Sequence, residues 1–142
     1  MILFNSVAVQ AEEDGKPITF PPQAILIASY RGDDELVREI LAAGADKDTR
    51  DSTGATALHI AMLQSNPIVI KLLLDYGFDP NAVAARNGNT PLHNAVAANN
   101  EAAVRLLLQY GANKNIKNLD GLTPLDKARK EEKQRLVLLL YR

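Results

Sequence analysis

Apolar residues run along this chain in short, dense stretches at helical spacing. Val69, Leu72 and Leu73, and again Val104, Leu107 and Leu108, keep the i, i+3, i+4 intervals that bring side chains onto one face of a helix. The runs are bracketed by residues that start and stop helices. Thr90 and Thr123 suit the N-cap, and Pro91 and Pro124 suit the first helical position, where no amide hydrogen is needed. Gly44, Gly77 and Gly111 fall just past the apolar runs, where a left-handed residue ends a helix at least cost. The pattern predicts pairs of short helices. Helices this short are marginal alone in water, so their apolar faces must stack on neighbours.

The pattern also repeats. Thr56-Ala57-Leu58-His59-Ile60-Ala61 returns after 34 residues as Thr90-Pro91-Leu92-His93-Asn94-Ala95, and after a further 33 as Thr123-Pro124-Leu125-Asp126-Lys127-Ala128. A glycine stands two positions before each block (Gly54, Gly88, Gly121), and the endings Gly44-Ala45-Asp46, Gly77-Phe78-Asp79 and Gly111-Ala112-Asn113 recur in step. Counting back from Ala61 by one period reaches Ala28, so a degenerate unit opens the series. One extra residue, near Ala82 to Arg86, separates the first block from the second.

Composition narrows the chemistry. With 16 Lys+Arg against 17 Asp+Glu, no single-sign field invites nucleic acid or an anionic membrane. The absence of cysteine excludes disulfides, thiolate catalysis and thiolate-bound zinc. No phosphate-binding loop, dinucleotide fingerprint or nucleophile elbow is present. Two histidines, His59 and His93, sit at equivalent positions about one repeat apart, too far for an acid–base pair. Asp33, Asp34, Glu35, Asn100 and Glu101 are placed to cap second helices rather than to hold a metal. No apolar run reaches the length of a membrane span. The chain is expected to be no enzyme and to need no cofactor or metal.

Residues 1–20 form an N-terminal extension. Met1 to Ala11 is mostly apolar and ends in Val9-Gln10-Ala11, like a signal-peptide cleavage site, but it lacks a basic n-region. Lys16 to Pro22 reads as an extended strap, because each proline disfavours helix at itself and at the residue before it. No compartment is assigned. Cytoplasm is the default, and the periplasm or secretion is the alternative.

The repeated blocks resemble the T-P-L-H-x-A signature of the ankyrin repeat. The resemblance covers residues 21–142 and implies an all-α solenoid of about four helix-turn-helix units, at about 21–50, 51–83, 84–117 and 118–142, joined by β-hairpin-like loops. It implies that His59 and His93 are structural bridges from the cap threonine to a neighbouring hairpin. It also implies a protein-interaction module, with a concave surface built from hairpin tips and exposed first-helix positions that binds another protein without catalysis. The alternative is a regulatory or stabilising subunit of an enzyme, perhaps exported.

Carried over by register, the concave positions are Tyr30 and Arg31 in the opening unit, then Arg50, Ser52, Thr53, Ala55, Leu63 and Gln64. The third unit gives Arg86, Asn87, Asn89, Ala97 and Ala98; the fourth gives Lys117, Leu119, Asp120, Leu122 and Lys130. Aromatic, arginine and apolar members are the expected anchors. One departure stands apart: Arg38, Lys71 and Arg105 share a register position that Leu138 occupies in the last unit, with Tyr141 beside it. A terminal repeat is normally the more polar one. Leu138 is therefore expected to be covered by the N-terminal strap, by a second copy or by a partner, in a chain that is otherwise a monomer.

Overall fold

In the computed structural model, residues 17–64 and 66–142 are described, and they contain eight helices. The reading of Met1 to Ala11 lies outside the described residues. The helices pair as α1 (Ala24–Arg31) with α2 (Asp34–Ala42), α3 (Ala57–Ala61) with α4 (Pro67–Tyr76), α5 (Pro91–Ala97) with α6 (Glu101–Gln109), and α7 (Pro124–Lys130) with α8 (Gln134–Tyr141). The odd-numbered helices form an inner row and the even-numbered ones an outer row. The substantial helix contacts run within a pair, or along a row to the adjacent unit. This is the nearest-neighbour packing of a solenoid.

The caps follow the residues. Thr90 accepts from the His93 amide at 3.4 Å, and Thr123 accepts from the Asp126 amide at 3.1 Å, each followed by proline at the first helical turn. Asp33 caps α2 through the Leu36 amide at 3.1 Å, and Asn100 caps α6 through Ala103 at 3.1 Å. The core runs unbroken from Ile25, Ala28, Val37 and Ile40 through Leu58, Ile70 and Leu73 to Leu92, Val104 and Leu107, and ends at Leu136 and Leu140. Ala28 is fully buried, as its register with Ala61 requires. The outer helix α4 buries a wider arc than the expected stripe: Ile70 and Leu74 are buried as well as Val69 and Leu73, while Leu72 is half-buried, because α4 packs between α2 and α6 as well as on α3.

Tight loops join the units. Hydrogen bonds from Asp51 to the Ala55 carbonyl (3.0 Å), from Ala84 to Asn89 (2.9 Å) and from Asn118 to Leu122 (2.9 Å) close three hairpin tips. The extra residue lies in the middle tip, which holds residues 85–88 where the others hold 52–54 and 119–121. Neighbouring tips bond through their backbones, Arg86 N–H to the Thr53 carbonyl and Leu119 N–H to the Asn87 carbonyl, both at 3.0 Å. That approach is close enough to demand glycine. A Cβ on Gly54 would stand 2.6 Å from the Ala85 nitrogen, and one on Gly88 would stand 2.7 Å from the Leu119 nitrogen.

The described part of the strap sits on the first unit. Phe20 packs against the core, and Phe20, Pro21 and Pro22 line a hollow with Ile40, Ala43 and Thr49. It therefore lies at the opposite end of the array from Leu138, which is 69% exposed beside Tyr141 at 72%. Contrary to the expectation from sequence, these strap residues do not cover Leu138.

Candidate functional site

The inner row and the tips set the surface of interest. Each inner histidine is fully buried and spans two units. His59 Nδ1 accepts from the Thr56 amide at 3.2 Å, which leaves Nε2 to donate to the Asn89 carbonyl at 2.9 Å. His93 repeats this with the Thr90 amide at 3.1 Å and the Leu122 carbonyl at 2.8 Å. A carbonyl only accepts, so both rings are neutral with the proton on Nε2. Burial, the largest effect, holds both below the ordinary value of 6.5. In the fourth unit Asp126 takes the histidine's place, and its carboxylate accepts from the Thr123 amide at 3.1 Å.

These bridges hold the later hairpin tips against the inner helices, and across the first two units lies an apolar groove of about 570 Å³. Leu26, Ile27, Tyr30, Ile60 and Leu63 form its walls, with Arg31 and Asp51 at the rim. Tyr30 and Leu63 are 60% and 61% exposed and share one register position in adjacent units. Two of the residues picked from sequence as anchors are thus brought together. Ile27 and Ile60, which complete the walls, were not picked, because their spacing reads as ordinary core. The signal lay in register: the same position is Asn94 and Lys127 in the last two units.

The tips form a second strip. Ser52, Arg86, Asn87, Leu119 and Asp120 are exposed there, Leu119 at 73%. Other picked residues are engaged inside the array. Arg50 donates to the Gly54 carbonyl at 2.6 Å and to the Val83 carbonyl at 2.9 Å, stapling one hairpin to the next. Gln64 donates to the Tyr30 carbonyl, and its own carbonyl accepts from Asn100 at 3.1 Å. Asn89 accepts from the Asn118 side chain at 3.0 Å, the Leu122 carbonyl holds His93, and Ala55 is buried. Asp51 organises its own tip by accepting from Thr53 N–H at 2.8 Å and Ala55 N–H at 3.0 Å. Burial pushes its carboxyl up, yet these bonds outweigh that and hold it below its ordinary value.

Among the described residues no cluster of three His, Asp or Glu side chains is placed to hold a metal ion. Nor is any described helix long and apolar enough to cross a membrane.

Comparison with known proteins agrees with the repeat geometry. A family model described as ankyrin repeats (3 copies) matches residues 25–118 and 65–142. The chain is similar to an L-asparaginase of Dirofilaria immitis, 49% identical over 55 residues, covering 39% of this chain and 9% of that protein. It is 39% identical over 57 residues to an ankyrin repeat-containing protein of Treponema pallidum (strain Nichols), covering 40% of this chain and 19% of that one. It is 50% identical over 55 residues to a BTB/POZ domain and ankyrin repeat-containing protein of Malus hupehensis, covering 38% and 9%. Each match therefore spans less than a fifth of the relative's own length.

Proposed function

Because the chain belongs to the ankyrin-repeat family, whose members generally serve as protein-interaction modules, we propose that it binds a partner protein through its concave surface and catalyses no reaction. The observation that carries this is the groove between Tyr30 and Leu63. Two bulky side chains more than half exposed, at one register position, present an apolar patch that the fold itself does not consume. The tip residues Ser52, Arg86, Asn87, Leu119 and Asp120 supply a polar rim with one apolar member, and Arg31 and Asp51 add charge at the groove's mouth.

The test is a pull-down from the native source with the wild-type chain and with Leu63→Asp. The substituted residue is exposed, so melting should move by no more than about 0.5 kcal/mol in stability. The expected outcome is one or more proteins retained by the wild type and lost with the variant. Identical retention by both would remove the groove from the reading.

A second reading, a regulatory or stabilising subunit of an enzyme, draws support from the stretch similar to the Dirofilaria L-asparaginase. It requires that the retained protein be an enzyme whose activity or heat resistance changes when this chain is added.

A further inference from the structure

The concave surface changes chemical character from one end to the other. Its two outward register positions on the inner helices read Ile27, Ile60, Asn94, Lys127 and Tyr30, Leu63, Ala97, Lys130 from the first unit to the fourth. Both rows begin bulky and apolar, pass through a small or amide residue, and end in an ammonium group. The cationic end is only partly neutralised by the fold. Glu131 accepts from Lys127 at 2.7 Å and from Lys133 at 2.5 Å, and Asp126 is turned to the Thr123 amide. Lys130 is exposed and forms no ion pair or hydrogen bond among the described residues. Arg86, on the middle tip, and Lys117, just before the last tip, are both exposed.

A graded surface of this kind is complementary to a graded ligand. We propose that it takes an extended segment of a partner protein that sets a bulky apolar side chain in the Tyr30–Leu63 groove and carboxylates over Lys130. The proposal rests on the concave binding reading above and adds the chemistry of the bound segment. Packed helices lie about 8–10 Å apart, so Leu63 and Lys130, two units apart, are separated by roughly 20 Å. An extended chain covers that in about six residues at ~3.3 Å each. The apolar end supplies burial, and the charged end supplies register and direction. Segments bearing lysine or arginine in place of the acids are repelled there. Binding weakens as salt rises, because Lys130 and its ligand remain solvated.

The experiment pans the full chain against random peptides of about 12 residues, twice the span just derived. Leu63→Asp and Lys130→Glu variants, each first shown to melt like the wild type, are panned in parallel. The wild type should enrich sequences with an apolar or aromatic residue about six positions from one or two acids. Lys130→Glu should lose the acidic preference while keeping the apolar one, and Leu63→Asp should lose the apolar one. A synthetic peptide of the leading sequence should bind Lys130→Glu about five- to tenfold more weakly at low salt, the scale of reversing one exposed charge contact. Persistent acidic enrichment with Lys130→Glu, or apolar enrichment without acids in the wild type, overturns the proposal and leaves the binding reading standing. Enrichment indifferent to both substitutions, or none above an uncoated surface, overturns the binding reading too.

Discussion

At the scale of single residues, one register position records where its unit stands in the array. It is Asp33, Asn66, Asn100 and Lys133 in successive units. Asp33, in the first described unit, caps its helix by accepting from Leu36 N–H. Asn66 and Asn100 cap with the amide oxygen and reach back with the amide nitrogen, to the Gly32 carbonyl at 2.9 Å and the Gln64 carbonyl at 3.1 Å. Lys133 reaches back alone, to the Val96 and Ala97 carbonyls at 2.5 and 3.0 Å. The asparagine amide carries its acceptor and its donor on separate atoms, so one short side chain caps its own helix and holds the preceding unit at once. The two histidines make a testable case at the same scale. Each is neutral and buried in the fold, with its pKa below 6.5, and regains the ordinary value when unfolded. Their contribution is complete above pH 6.5 and is lost as pH falls below it, since the unfolded chain then binds more protons. The slope is at most about 1.4 kcal/mol per pH unit for each ring. The urea midpoint should therefore drop between pH 7.5 and 5.5, and His59→Gln/His93→Gln should flatten that interval. A wild-type midpoint constant across it would contradict the neutral-bridge assignment.

At the scale of elements, the helices were legible because caps, prolines and glycines act within a few residues of themselves. Thr90, Thr123, Gly77 and Gly111 each start or stop a helix where the chain predicts. Arg50 was not legible in the same way. Its position marks an exposed tip, but its guanidinium acts on Val83, 33 residues on, and only the spacing between units discloses that. Nor does apolar periodicity tell which stripe residues end on the rim of a groove, which is why Ile27 and Ile60 escaped notice. The hairpins give a sharper comparison. Gly88 and Gly121 share a register position and a left-handed backbone, with φ of +72° and +76°, but a Cβ on Gly121 meets nothing within 4 Å. Gly121→Ala should cost only the conformational strain, about 1–2 kcal/mol. Gly88→Ala must also push away the Leu119 backbone, adding about 1–3 kcal/mol of overpacking. Paired denaturation curves check this, and equal losses at the two sites would show that the tips do not press on one another.

At the scale of the whole molecule, stability passes from unit to unit, and among the described units the first and last have one neighbour where the middle ones have two. Leu92 and Leu140 are both essentially unexposed, so each truncation to alanine should cost about 2–5 kcal/mol. The outcomes should differ in shape. Leu92→Ala, at the centre, should lower one cooperative transition, whereas Leu140→Ala should release the last pair of helices first and split the curve. A single sharp transition in both variants would mean that the array behaves as one globule. The row of tips has one more property on this scale. Each internal tip lends a carbonyl to an amide of the next, Thr53 to Arg86 and then Asn87 to Leu119, and the matching carbonyl at the far end is that of Asp120. The row thus has polarity, like a filament with unlike ends. A backbone lengthening it from that side must offer an N–H, so two such arrays meeting there face to face would set acceptor against acceptor, and only head-to-tail joining keeps the sequence of bonds unbroken.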